Sequence, residues 1–225
     1  VVTYELGGLS LNPTYVMLDG AGEPFGIVGA RSIMARKGWE RIADAPMRAL
    51  VERLNSERLA RLQSEGGHHY SGPVTIINVR VFDAEKKALT APMDVTVAGN
   101  RISEIAPAGS TPLDAGITRI DGGGGTLVPG MYEMHAHVDA DEGLLNVLAG
   151  ITTMRDMGND NAALDQVIAR IDKGEIAGPR VIRSGFIEGK SQFNANSGRI
   201  ATSQAEAIDH VRWYAARGYH QVKLY

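Results

Sequence analysis

The 225-residue chain is 44% hydrophobic and 22% charged, the balance of a globular protein rather than a disordered one. Its 26 acidic residues outnumber 23 basic ones for a net charge of −3, which argues against a nucleic-acid partner. No run approaches the roughly 18 apolar residues of a membrane span, and the lack of cysteine excludes disulfides, thiolate-held zinc and a thiol nucleophile.

The chain opens Val1-Val2-Thr3-Tyr4-Glu5, without an initiator Met or a basic leader, so no signal peptide is read and a longer parent polypeptide is expected. Residues 1–72 form a first part. Tyr15-Val16-Met17-Leu18 is a candidate strand. Ala45 to Glu65 is an amphipathic helix, with Met47, Leu50, Val51, Leu54 and Leu62 on one stripe, Pro46 in the first turn and Gly66-Gly67 as the stop. His68-His69 in the Gly-rich exit read as surface histidines, since adjacent residues in a loop have no fixed ligand geometry.

Residues 73–129 read as all-β. Val74 to Phe82 is β-branched and alternating, Asp94–Ala98 and Arg101–Ile105 flank a Gly99-Asn100 turn, and Thr118–Asp121 is a short strand. Gly122 to Gly125 then lead into Thr126-Leu127-Val128. A phosphate loop would need Gly-Lys-Ser/Thr entering a helix, so the glycines read as structural.

Residues 130–225 alternate strands and helices. The strands are Met131–His137, Ile151–Met154, Arg180–Arg183 and Gln221–Tyr225; the helices are Asp141–Ala149, Ala162–Lys173 and Ser203–Arg217. Ser203 with Glu206 forms a capping box and Gly218 a stop. Strand–helix alternation with short loops predicts βαβ units on a parallel sheet, so the fold class is α/β: four strands and three helices make the first half of a (β/α)8 barrel, preceded by a strand-rich small domain of β-sandwich type.

The chemistry concentrates in His135-Ala136-His137. Residues i and i+2 of a strand share a face, so both imidazoles point one way at a strand's C-terminal end, where barrel active sites open. Alternation likewise puts Gln221, Lys223 and Tyr225 on one face of the last strand, with Val222 and Leu224 toward the helices. Seven acids between Met131 and Gln166 (Glu133, Asp139, Asp141, Glu142, Asp156, Asp160 and Asp165) face one base, Arg155, and suggest either helix starts or an acidic rim that attracts cationic peptides. Gly185 to Ile200, with Glu188, Lys190, Gln192, Asn194 and Asn196, reads as a long loop on the same face.

The run Thr126-Leu127-Val128-Pro129-Gly130-Met131-Tyr132-Glu133-Met134-His135-Ala136-His137, followed by Gly150-Ile151-Thr152-Thr153-Met154-Arg155-Asp156-Met157-Gly158, resembles the amidohydrolase superfamily, in its imidazolonepropionase-like and prolidase-like branch. The resemblance covers about Val74 to Tyr225, with Glu133 standing where that family usually has Asp. It implies a metal-dependent hydrolase cutting an amide or other C–N bond of a peptide-like or cyclic-amide substrate. His135, His137 and Lys223 would be ligands of one or two divalent ions, chiefly Zn2+, with Lys223 carrying a CO2-derived carbamate. Glu133, Thr153, Arg155 and Asp156 would support them. The remaining histidines and a general-base Asp are expected beyond Tyr225, in the remainder of the barrel, which becomes this chain's partner. A homo-oligomer of the intact protein is expected, with no membrane or nucleic-acid partner. Two alternatives stand beside this one: a scaffold-like segment whose half-site is inactive without the rest of the barrel, and a mononuclear, deaminase-like site without carbamylation.

Overall fold

The apolar stripes and β-branched runs collapse into three sheets of a mixed α/β fold. A computed structural model describes residues 1–9, 12–29, 33–110, 116–195 and 197–225, the side chain of Asp141 excepted. The chain forms two compact units. Val1–Gly66 groups with Met131–Tyr225, and Gly67–Gly130 stands as the other. No helix among the described residues is long and apolar enough to cross a membrane.

The first unit begins with an antiparallel meander, β1 (Val2–Leu6), β2 (Thr14–Leu18), β3 (Pro24–Val28) and β4 (Ile33–Ala35), and then α1 (Glu40–Gly66). Tyr15, Met17 and Val28 on one sheet face pack against Ala43, Met47 and Val51 of α1. The helix starts five residues before the expected Ala45. The Trp39 carbonyl accepts from the Ile42 and Ala43 N–H groups, and the Glu40 carboxylate accepts from the Gly38 N–H. Pro46 therefore lies inside the helix rather than in its first turn. Its missing N–H leaves the Ile42 carbonyl without a helical donor, which is tolerated because Ile42 is largely solvent-exposed.

The rest of this unit is a parallel sheet. It contains β11 (Met131–Ala136), α2 (Ala140–Leu148), β12 (Ile151–Asp156), α3 (Asn161–Asp172), β13 (Arg180–Gly189), β14 (Arg199–Ala201), α4 (Gln204–Ala215) and β15 (Gln221–Leu224). Strands β11, β12, β13 and β15 lie side by side in that order, all parallel, and β14 pairs with the far end of β13. Ala136, Val138, Met154 and Leu164 form one core beneath the helices, and Ile187, Ala201, Tyr214 and Tyr219 another. Strand β13 outruns the expected Arg180–Arg183 and takes in the start of the expected Gly185–Ile200 loop, because Phe186 and Ile187 are buried. The Tyr214 hydroxyl also donates to the Phe186 carbonyl. Ser203 caps α4 by accepting from the Glu206 N–H, while the Glu206 carboxylate reaches back to the Thr202 N–H and hydroxyl.

The second unit holds β5 (Val74–Asp83), β6 (Ala88–Leu89), β7 (Met93–Ala98), β8 (Arg101–Pro107), β9 (Thr118–Asp121) and β10 (Thr126–Leu127). β5 pairs antiparallel with β7, and β7 with β8; β9 and β10 run parallel to successive halves of β5. β5 bulges at Asn78, whose φ is +55°. The buried Asp94 carboxylate accepts from the Asn78 and Gly109 N–H groups and fixes that bulge. The four glycines follow its contour: Gly122 and Gly124 donate to the Ile77 and Asn78 carbonyls, and the Gly125 carbonyl accepts from Arg80. A Cβ at Gly122 would sit 2.1 Å from Val79 Cγ1, so the run serves close backbone approach.

Candidate metal centre

The site grows from the end of β11. Ala136 and Val138 are buried in the core beneath the helices, so His135 and His137 project from the opposite face. His135 is exposed and His137 half-buried. Their ring centroids are 5.7 Å apart and their planes inclined by 55°. Two imidazoles on one tetrahedral ion, each with a metal–nitrogen bond of about 2 Å, have centroids about 5 Å apart. The observed separation is somewhat larger than that value. Among the described residues no cluster of three or more His, Cys, Asp or Glu side chains is arranged to hold a metal.

His137 Nδ1 lies 2.6 Å from the Gly158 carbonyl oxygen. A carbonyl can only accept, so Nδ1 carries the hydrogen in the neutral ring and Nε2 keeps the lone pair that a metal needs. Around His135 the ladder shifts register between Glu133 and Ala136. There the Glu133 carboxylate turns back to accept from the His135 N–H at 2.8 Å.

The four supporting residues separate. Asp156 is fully buried, and its carboxylate accepts three hydrogen bonds: from the Val138 N–H (2.8 Å), the Gly158 N–H (2.9 Å) and the Asn159 side-chain amide (3.1 Å). The same Asn159 amide donates to the Val138 carbonyl at 2.7 Å. Arg155 Nε donates to the Met134 carbonyl at 2.7 Å and braces the register shift of β11. Thr153 is half-buried in the middle of β12, in register with Tyr132 and Arg180, and its side chain joins none of these bonds.

Lys223 stands on β15 in register with Phe186, with β12 and β13 between its strand and β11. Its ammonium lies over the rings of Tyr225 (4.6 Å) and Phe186 (5.7 Å), and among the described residues no carboxylate pairs with it. Phe186 also abuts the loop that holds His137, since a Cβ on Gly158 would meet its Cβ and Cγ at 3.0 Å.

The acidic stretch is mostly engaged in structure. Asp139 accepts from the Glu142 N–H at the start of α2, Asp160 caps α3 through the Ala163 N–H, and Asp165 pairs with Arg183 at 2.7 Å. The Asp141 side chain and Asn196 lie outside the described residues. In the loop after β13, Glu188 accepts from the Ala195 N–H, and Asn194 bonds both Ser191 and Ala195. Sequence reasoning missed Gly158, Asn159 and Phe186. The only local signal for the first two is Asp-x-Gly-Asn directly after a strand, a pattern suited to a side chain bonding the backbone two residues on.

No protein-family model and no curated protein matches the chain. Solved structures share its fold. A putative prolidase from Bifidobacterium longum superimposes with a TM-score of 0.59 at 23% identity, covering 69% of this chain and 41% of that one. A prolidase complexed with N-methylphosphonate-L-proline gives 0.54 at 20% identity, covering 68% and 46%. Bottromycin amidohydrolase gives 0.55 at 19% identity, covering 76% and 35%. The chain thus has the mixed α/β architecture found in amidohydrolase structures, and spans less than half the length of these three.

Proposed function

We propose that this chain contributes the first metal ligands of a hydrolase that cleaves an amide or related C–N bond in a peptide-like substrate. The observation that carries the reading is the imidazole pair at the C-terminal end of a parallel strand, with His137 already in the tautomer that leaves Nε2 free to ligate. The prolidase and amidohydrolase neighbours support the same class of bond. In this reading the sheet β11–β12–β13–β15 is the first half of a (β/α)8 barrel, and the Gly67–Gly130 unit is part of a β-sandwich-type domain.

His135 and His137 would hold one of one or two divalent ions, zinc first. A bound ion of this kind supplies Lewis acidity and a water that ionises near neutral pH. Lys223, as a carbamate formed when its ammonium gives up two protons to solvent and the nitrogen adds CO2, would be a further ligand. As an ammonium it lies over the faces of Tyr225 and Phe186, an attraction that the conversion would give up and metal ligation would have to offset. Glu133 and Arg155 keep the end of β11 in shape, and Asp156 holds the backbone on the far side of His137.

The test is zinc content and dipeptide hydrolysis of the zinc-supplemented full-length protein that carries this chain, compared with its His135→Ala and His137→Ala variants. Zinc retained by the parent and lost in both variants, with hydrolysis falling together with it, is the expected result. Zinc held equally by all three proteins would overturn the reading. So would hydrolysis unchanged in the variants.

A further inference from the structure

This inference rests on the hydrolase reading and concerns how its first ligand is aimed. We propose that Asp156 is a positioning residue for His137, which it holds in the Nδ1–H tautomer through the Gly158 carbonyl, keeping Nε2 as the ligand atom.

Asp156 controls His137 from two directions. Oδ2 accepts from the N–H of Val138, the residue that follows the histidine, and so fixes the backbone that carries the ring. Oδ1 accepts from the N–H of Gly158, whose carbonyl receives the ring's Nδ1–H. One carboxylate thus sets both the backbone and the hydrogen-bond acceptor that define the imidazole's orientation. Gly158 has a φ of +119°, a conformation that only glycine adopts readily, and Phe186 packs where a side chain would be. The carbonyl is therefore held by its own N–H, by its backbone torsion and by the ring behind it.

The burial of Asp156 makes its bonding partners obligatory. A fully buried carboxylate with no paired cation among the described residues is costly to desolvate. It persists here because three donors converge on it, and the two backbone ones lie on the segments that meet at His137. A neutral side chain of the same size cannot replace it. An Asn has one accepting oxygen, and its NH2 would face one of those N–H groups.

The experiment is 15N NMR of the full chain labelled at histidine, free of metal, at about pH 8, where an ordinary imidazole is neutral. The two ring nitrogens of His137 report the tautomer directly. The parent should show Nδ1–H. Asp156→Asn and Gly158→Ala should each move His137 mainly to the Nε2–H form. Asn159→Ala loosens the same loop but spares the Asp156–Gly158 bond, so it should leave Nδ1–H in place. Zinc affinity, read by chelator competition, should fall about 10–100-fold in the first two and little in the third. Should Asp156→Asn fail to fold, Gly158→Ala carries the comparison alone. Nδ1–H persisting in a folded Asp156→Asn or Gly158→Ala chain would overturn the proposal, as would equal loss of the tautomer in Asn159→Ala. Zinc failing to bind any of these proteins, with the tautomer pattern as expected, would instead overturn the hydrolase reading and leave the orienting role of Asp156 standing.

Discussion

Asp94 in the all-β unit and Asp156 in the parallel sheet use the same device for different ends. Each is a buried carboxylate that accepts backbone N–H groups from two segments brought together at an irregularity. Asp94 ties the bulge at Asn78 to Gly109, and the chain of bonds ends in backbone. Asp156 ties Val138 to Gly158, and the chain runs one step further, to an imidazole. A buried aspartate is therefore not in itself a mark of function. What distinguishes the two is the group at the end of the network. A third aspartate extends the series outward. Asp19 accepts from the Ala21 and Glu23 N–H groups and from Arg36, but at a turn accessible to solvent.

The largest loss of folding stability is expected for Asp156→Ala, which strands three donors in the interior. At about 1–3 kcal/mol for each buried group left unpaired, with some relaxation, the loss is about 3–5 kcal/mol by urea unfolding, accompanied by loss of zinc affinity. Asp94→Ala strands two backbone donors and should cost about 2–4 kcal/mol, with zinc affinity unchanged. If Asp94→Ala weakened zinc binding as much as Asp156→Ala, the distinction between the two aspartates would collapse. His137→Ala sharpens it from the other side. The clamp stays intact, so stability should change by about 1 kcal/mol or less, the value of one hydrogen bond, while zinc binding disappears.

The smallest effect belongs to Asp19 and appears only with pH. Its carboxyl is held below the ordinary aspartate range, first by Arg36 and then by the Glu23 and Ala21 N–H groups. A depressed folded-state value means the unfolded chain binds the proton more readily. The contribution is thus complete above the unfolded pKa of about 3.9 and is lost as the pH falls through the lower folded value. Amide protection factors in the β2–β3 turn, taken relative to the intrinsic exchange rate at each pH, should be constant between neutrality and about pH 5 and then fall in more acid solution. Asp19→Asn should abolish that loss of protection, and a loss that persists in the variant would assign it to another group.

The sequence by itself determined what depends on near neighbours. Strand alternation put His135 and His137 on one face, helical spacing and caps located α1 to α4, and Val222 packs into the core beneath α4 as expected, while Leu224, expected beside it, is exposed. Strands β1, β3, β4 and β14 were not legible, because they are short and owe their order to pairing with strands elsewhere in the chain. Only the tertiary structure decided which nitrogen of His137 carries the hydrogen, because its acceptor lies 21 positions away. It likewise decided that Lys223 faces aromatic rings and that Asp156 is a buried clamp rather than part of an acidic rim. Local pattern fixes which way a side chain points; what it meets there depends on segments distant in sequence, and burial gives those meetings their energy.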